Sequence, residues 1–337
     1  METISDEDKN VERIEDIKSY LSSFEINNYR NDLISSCMVR NIRVVGNYIY
    51  LKLFLGSDQF HLEKQVKDAL KVFDWAEKIY VDVKHISGVK RTIAIGSGKG
   101  GVGKSSVTLG LALNLLNKGY KVGVLDADVY GPNIPILLGL NEVDVLTSDE
   151  DNITKFVPIK YKGLQIMSVG MLAKRDQGLA WRGPILTRLL NQFLYQVQWE
   201  DLDFLLIDLP PGTGDTQITI LQDSPTIGML LVTTSGIASL SDLSRTISMY
   251  KTFGMPILGV VENLSSFKCP CCNSEYQLFA DNYSLNKYFG ESIPIISKIP
   301  IIYQENKIDN KNPFISSKYS FYFNEMSNKI INSLFVK

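Results

Sequence analysis

The chain has 337 residues, 45% of them apolar and 21% charged, a balance that belongs to a folded protein of about two domains. Lys and Arg number 35 against 37 Asp and Glu, for a net charge of -2, which argues against a basic nucleic-acid coat and leads us to expect no nucleic-acid partner. The longest apolar runs, such as 227–232, fall far short of the ~20 residues that span a bilayer. The acidic opening METISDEDKN carries neither a signal-peptide core nor an Arg-rich transit pattern, so a cytoplasmic location and no membrane partner are expected.

The first ninety residues or so read as a small α+β unit. Val11, Ile14, Ile17 and Leu21 recur at helical spacing. Residues 38–55 are rich in β-branched and aromatic types and are interrupted by Gly46-Asn47, which predicts a hairpin. Apolar residues from Phe60 to Lys78 return every three or four, one face of a helix, and 79–83 is a short strand. Residues 85–91 form a plausible linker, giving a division into 1–88 and 89–337.

From Thr92 onward, apolar runs at 92–96, 121–126, 164–170, 204–209, 226–232, 256–261 and 293–297 alternate with helical stretches at 103–118, 185–198, 239–253 and 282–289. The runs lack strict polar alternation, as expected of strands buried on both faces. The fold class is therefore α/β, a doubly wound and mostly parallel sheet, with the small α+β domain in front. Residues 141–162 show no clear period and read as a surface excursion; 303–320 is polar, and a last helix ends the chain.

Gly98-Lys99-Gly100-Gly101-Val102-Gly103-Lys104-Ser105 fits G-x-x-x-x-G-K-[ST] between a strand and a helix, the context a phosphate loop requires. Glycines let backbone N–H groups turn toward an anion, and the helix N-terminus adds partial positive charge. Lys104 is placed to reach the β- and γ-phosphates of ATP, and the Ser105 hydroxyl to ligate Mg²⁺. Lys99 is a second lysine that the loop does not need locally; it reads either as a solvated charge or as a residue that reaches a partner subunit's nucleotide. Asp126 and Asp128 follow the second strand of this region, and Asp208 ends FLLID before Pro210-Pro211-Gly212-Thr213-Gly214-Asp215. Strand ends of an open parallel sheet are where ligands sit, and an apolar strand ending in Asp is the usual Mg²⁺-side carboxylate of such ATPases.

Four cysteines are too few for a disulfide scaffold. Cys37 stands among apolar neighbours and reads as a packing residue. Cys269 and Cys272 have C-x-x-C spacing, with Cys271 between them. One pair supplies half of a tetrahedral or cubane ligand set, and the only histidines are His61 and His85. A symmetric dimer supplies four thiolates; a redox dithiol and a plain loop are the other readings.

GSGKGGVGKSS, LDADVYGPNIPILLGL, WRGP at 181–184, LLIDLPPGTGD and VENLSSFKCPCC together resemble the Mrp/ApbC family of iron–sulfur cluster carrier ATPases, within the MinD/ParA-like group. The resemblance covers nearly all of 92–300, and residues 1–88 are similar in element order to the family's MIP18-like domain, without its Cys-Pro. It implies slow ATP hydrolysis by a homodimer that binds a bridging [4Fe–4S] cluster, accepts it from a cluster donor and passes it to apo client proteins. It also implies roles: Lys99 reaches across the dimer, Lys104 holds phosphate, Ser105 ligates Mg²⁺, Ser106 contacts the α-phosphate, Asp128 positions water, Asp208 supports the Mg²⁺ shell, Asn263 lies beside adenine, and Cys269 and Cys272 bind the cluster. The competing functions are an ATP-driven partitioning or positioning switch and a zinc-bridged dimeric ATPase; thiolate sulfur alone does not separate zinc from iron–sulfur.

Overall fold

A computed structural model describes residues 6–24, 26, 32–140, 143, 145–150, 153–173, 183–278, 288, 293–302 and 317–335. The expected helix at 282–289 and the WR half of WRGP lie outside these, apart from Tyr288. The chain opens with α1 (Asp6–Ser22), β1 (Val39–Val45), β2 (Tyr48–Phe54), α2 (His61–Ala69) and β3 (Lys78–Lys84). Gly46, at φ +60, turns β1 back antiparallel to β2, and α2 is the crossover that lets β3 run parallel to β2. Ile49, Leu51 and Leu53 bury one sheet face against Ile17, Leu21, Leu62 and Val66. The helix expected to continue to Lys78 stops at Ala69 and tightens into a 3₁₀ turn at 70–72. Phe73 and Ala76 keep the helical rhythm in sequence because they pack on the same core from the tight turn that follows, where Ala76 N–H donates to Phe73 O at 2.8 Å.

The remaining elements are β4 (Val89–Gly96), α3 (Lys104–Asn117), β5 (Val122–Asp126), α4 (Ile134–Leu138), β6 (Leu146–Glu150), β7 (Ile153–Val157), β8 (Ile159–Tyr161), β9 (Leu164–Ser168), α5 (Val169–Ala173) and α6 (Gly183–Tyr195). They continue with β10 (Leu202–Asp208), α7 (Asp215–Asp223), β11 (Thr226–Thr233), α8 (Ile237–Thr252), β12 (Ile257–Lys268), β13 (Glu275–Gln277), β14 (Ile295–Ile302) and a last helix, α9 (Ser320–Leu334). The large sheet runs β13-β12-β11-β4-β10-β5-β9-β8, with β14 also on β12. Pairings from β12 through β9 are parallel, and β8 and β13 add antiparallel edges. All five residues of β5 and the last five of β10 are buried, as their uninterrupted apolar sequence anticipates. The stretch 141–162, expected as a featureless excursion, contains the β6–β7 hairpin and β8. β6 is mostly polar and β7 and β8 are only five and three residues long, so they leave no apolar period to read.

α3 packs between the sheet and α9, where Gly110 admits the ring of Phe323; any Cβ there would collide with it. The two cores meet at Cys37, which is buried with its Sγ 3.8 Å from Met255 Sδ. Burial pushes its thiol pKa up, as fits the packing role expected of it.

Candidate nucleotide and thiolate sites

β4, β5 and β10 are adjacent and parallel, so their C-terminal ends deliver the phosphate loop, Asp126 and Asp208 to one edge of the sheet. Register places Asp126 directly opposite Asp208. The loop leaves β4, adopts positive φ at Gly101 (+82) and Gly103 (+86), and enters α3 at Lys104. Gly103 cannot carry a side chain: its Cβ would strike the Asn263 amide, whose Nδ2 donates to Val102 O at 2.8 Å. Asn263 is buried, and among the described residues its Oδ1 has no hydrogen-bond partner. Gly98 is pressed against the α8 backbone at Asp242–Leu243. A cavity of about 430 Å³ opens over the loop; Lys99, Lys104, Ser105, Ser106, Asp128 and Pro211 are among the residues that line it.

Lys104 is 6% exposed, and its Nζ lies 2.8 Å from Asp208 Oδ2 and 3.4 Å from Asp128 Oδ2. It makes these ion contacts without a well-directed hydrogen bond to either oxygen. Burial works against its charge, but Asp208 and Asp128 outweigh burial and hold its pKa above the ordinary lysine value. Ser105 Oγ donates to Asp208 Oδ2 at 2.6 Å, and Thr108 Oγ1 donates to Asp208 Oδ1 at 2.9 Å. Asp128 is raised by burial and then by Asp208, against the pull of Lys104. Asp126 is fully buried and accepts from Asp128 N–H, Ile134 N–H and Ser168 Oγ at 3.2, 3.2 and 3.0 Å. Burial, then the facing Asp208, pushes its pKa up to about 7.

Three buried carboxylates thus share one ammonium, which is an excess of negative charge in a water-poor site. That imbalance fits a divalent cation. Ser105 and Asp208 offer hard oxygen donors, and Mg²⁺ in such sites takes one or two protein ligands and completes its shell with phosphate and water. Lys99 is exposed, and among the described residues no hydrogen bond or ion pair engages its ammonium. Tyr130 and Ile136, 78% and 57% exposed, stand at the same cavity.

Two contributions were not assigned from the sequence. Asp126 was visible in the D-A-D run, but its facing of Asp208 is a register fact with no local signal. Gln217 of α7 bonds the Pro210 carbonyl through Nε2 and accepts from Tyr250 Oη at 3.2 Å, and Gly212 N–H donates to Ser97 O at 2.8 Å. The loop 210–214 is therefore tied both to the phosphate loop and to α7.

The cysteines lie on the turn joining β12 to β13. Cys269 N–H donates to Ser274 O and Asn273 N–H to Cys269 O, both at 2.9 Å, with Asn273 at φ +59 closing the turn. Cys271 and Cys272 are exposed, Cys269 is half-buried, and all are free thiols. The Cys272 thiol donates to Ser274 Oγ at 3.3 Å. The Ser274 hydroxyl, its backbone N–H and Cys269 lower the Cys272 pKa. Among the described residues no group of three or more His, Cys, Asp or Glu is arranged to hold a metal ion.

The family described as NUBPL iron-transfer P-loop NTPase matches residues 88–335. The iron-sulfur cluster carrier protein of Helicobacter pylori is 35% identical over 305 residues, covering 85% of this chain and 82% of its own. That of Haemophilus influenzae is 33% identical over 343 residues, covering 95% and 91%. A solved nucleotide-binding protein from Archaeoglobus fulgidus, in complex with ADP, is 33% identical and covers 72% of this chain and 88% of its own, with a TM-score of 0.54. A phosphate loop with its buried carboxylates, followed in the same sheet by a two-cysteine turn, and relatives that align over most of both chains lead to one assignment: the chain belongs to the iron-transfer family of ParA-like P-loop NTPases.

Proposed function

We propose that the protein is an ATP-hydrolysing carrier that receives a [4Fe–4S] cluster from a donor, holds it between two copies of the chain in the cytoplasm, and delivers it to apo-proteins. The observation that carries this reading is the continuity of β12. The same strand braces the phosphate loop through Asn263 and six residues later presents Cys269. Between the two, Leu264 takes φ +54 and the pairing with β14 shifts register, so the strand is bulged between its nucleotide end and its thiolate end. On this reading one strand serves both the nucleotide and the cargo.

For hydrolysis, water attacks the γ-phosphorus, and the bond to the β–γ bridging oxygen breaks as ADP leaves. Lys104 exchanges its carboxylate contacts for β- and γ-phosphate oxygens, which its poorly directed ion contacts favour. The loop N–H groups and Ser106 hold the phosphates, and Asp128 orients the water. Ser105 and Asp208 would hold Mg²⁺, which supplies positive charge to the developing phosphate oxygens. Asn263 keeps the adenine-side wall in register with the loop. Slow turnover is expected, since among the described residues no arginine lines the cavity. Lys99, with exposed Tyr130 and Ile136 beside it, faces the second subunit and supplies the missing cation across the dimer. Two chains also bring four thiolates, the number a cubane cluster requires.

The test is anaerobic reconstitution with iron and sulfide, followed by transfer to an apo-ferredoxin of the [4Fe–4S] class. About four iron and four sulfide per dimer are expected, with transfer to the acceptor. Cys271→Ala and Cys37→Ala should retain the cluster. A protein that holds only zinc and resists reconstitution overturns the cargo assignment.

A further inference from the structure

α7 has its two ends on different business. Its N-terminus grows directly out of the 210–214 loop, which Gln217 and Gly212 tie to the phosphate site. Its C-terminus exposes carbonyls that a helix normally satisfies with a following glycine or a basic residue in its last turn. α7 has no basic residue there. The cation comes instead from Arg40 on β1 of the N-terminal unit, 181 positions upstream of Leu221. Arg40 Nη1 donates to Leu221 O at 2.7 Å and Ser224 O at 3.0 Å, and Nη2 donates to Thr226 O at 2.8 Å. Nε donates to Cys37 O at 2.7 Å, and the guanidinium lies 4.0 Å from the centre of the Phe54 ring. Lys52, on the neighbouring strand, stands 3.6 Å from Asp223. Tyr195 Oη, from α6, donates to the Asp223 carbonyl.

Three of these bonds reach three different carbonyls around the end of one helix and the start of β11. That demands a planar fork; a lysine ammonium on a flexible stem cannot reproduce it. The positive charge also opposes the negative end of the helix dipole. β11 is held in turn by β4, the strand that feeds the phosphate loop. The N-terminal unit therefore does not merely sit beside the ATPase. It grips the far end of the helix whose near end joins the loop carrying Pro211, which lines the cavity over the phosphate loop.

We propose that Arg40 is a positioning residue for ATP turnover: through α7 it sets the 210–214 loop, and through the same helix the nucleotide state reaches the N-terminal unit. This rests on the reading of the site as an ATPase. It assigns the N-terminal unit a role in the cycle that does not depend on the Cys-Pro missing from it.

The test compares wild type with Arg40→Gln and Arg40→Lys in the full chain. Wild-type hydrolysis is measured first; its absence defeats the ATPase reading itself. Given hydrolysis, Arg40→Gln should lower kcat about fivefold with KM for ATP within twofold, because the phosphate cradle is untouched. Arg40→Lys should fall between them, keeping the charge at the helix end without the fork. Hydrogen exchange gives the readout that a purely structural role would not move. MgATP should change protection at 39–54 in wild type and leave the same segment unaffected in Arg40→Gln. Unchanged kcat in a folded Arg40→Gln overturns the proposal. So does a wild type in which MgATP alters exchange around 98–106 but nowhere in 39–54, a result that needs no variant to fold.

Discussion

The phosphate site and the cysteine turn belong to the same sheet but are built on opposite principles. At the phosphate site the functional groups are buried and committed to one another: Lys104 is 6% exposed and Asp208 fully buried, with Ser105 and Thr108 fixing the carboxylate. At the turn, the backbone is fixed by two hydrogen bonds, yet two of the three thiols face solvent, and among the described residues no group of three or more metal-ligating side chains gathers there. Under the proposed function, the difference follows from what each site would handle. Charge stabilisation in phosphoryl transfer gains from dipoles set in place within a low-dielectric pocket. A cargo that must leave gains from ligands that a second chain completes and can withdraw.

The largest expected effect separates the two regions. Lys104→Ala should lower ATP turnover by about 100-fold or more and leave Cys269 and Cys272 competent to bind cluster. It also strips Asp208 and Asp128 of their cation, so about 3 kcal/mol of stability should be lost without nucleotide. Cys269→Ala/Cys272→Ala should do the reverse, abolishing cluster binding with ATP affinity within about twofold, since no thiol touches the cavity over the loop. Loss of both functions in both variants would break the comparison.

Next in size is a test of whether the phosphate site is truly finished within one chain. Neither Lys99→Ala nor Lys104→Ala should hydrolyse ATP alone, but their mixture forms heterodimers with one intact composite site. Random pairing should then recover about a quarter of wild-type turnover. Inactive mixtures with heterodimers demonstrated by mass remove Lys99 from a role in trans.

A smaller effect is confined to the buried side. Asp126 is raised from 3.8 to about 7 by burial and then by Asp208. In the window between those values the folded chain keeps a proton that the unfolded chain has released, so this group's contribution to stability falls as pH rises through that range. Melting of the nucleotide-free protein from pH 5 to pH 8 should show wild type losing about 3 °C more than Asp126→Asn. Parallel curves for the two proteins would show that Asp126 does not titrate in this range.

Much of this was legible without coordinates, for a definite reason. The phosphate loop, the strand-end aspartates and the C-x-x-C pair are contiguous words, and buried parallel strands are contiguous apolar runs. What stayed hidden is relational. The pairing of Asp126 with Asp208 depends on the register of β5 against β10. The capping of α7 by Arg40 joins residues more than 180 positions apart, and nothing near Arg40 marks it as more than a strand residue. α7 itself stays hidden because DTQITILQD is short and half of its buried face is polar, Thr216 and Gln217 beside Ile220 and Leu221. The β6–β7 hairpin stays hidden because β6 is mostly polar and the five residues of β7 are too few to show a rhythm.

The smallest effect distinguishes two neighbouring thiols on the exposed turn. Cys272 has its pKa lowered by the Ser274 hydroxyl, by the Ser274 N–H and by Cys269. Because the thiolate is the nucleophile, a lowered pKa raises the reactive fraction near neutral pH. The gain is partly cancelled, since a less basic thiolate attacks less readily. The net expectation is that iodoacetamide labels Cys272 about two to three times faster than Cys271 at pH 7, with Cys37, buried and pushed up, unlabelled. Peptide fragmentation resolves the positions. Ser274→Ala removes the hydroxyl from Cys272 and should narrow the ratio toward one without unfolding the turn, because the bond from Cys269 N–H goes to the Ser274 carbonyl rather than its side chain. If the wild-type thiols label at equal rates, Ser274 does not tune the turn, and the preorganisation there is confined to the backbone.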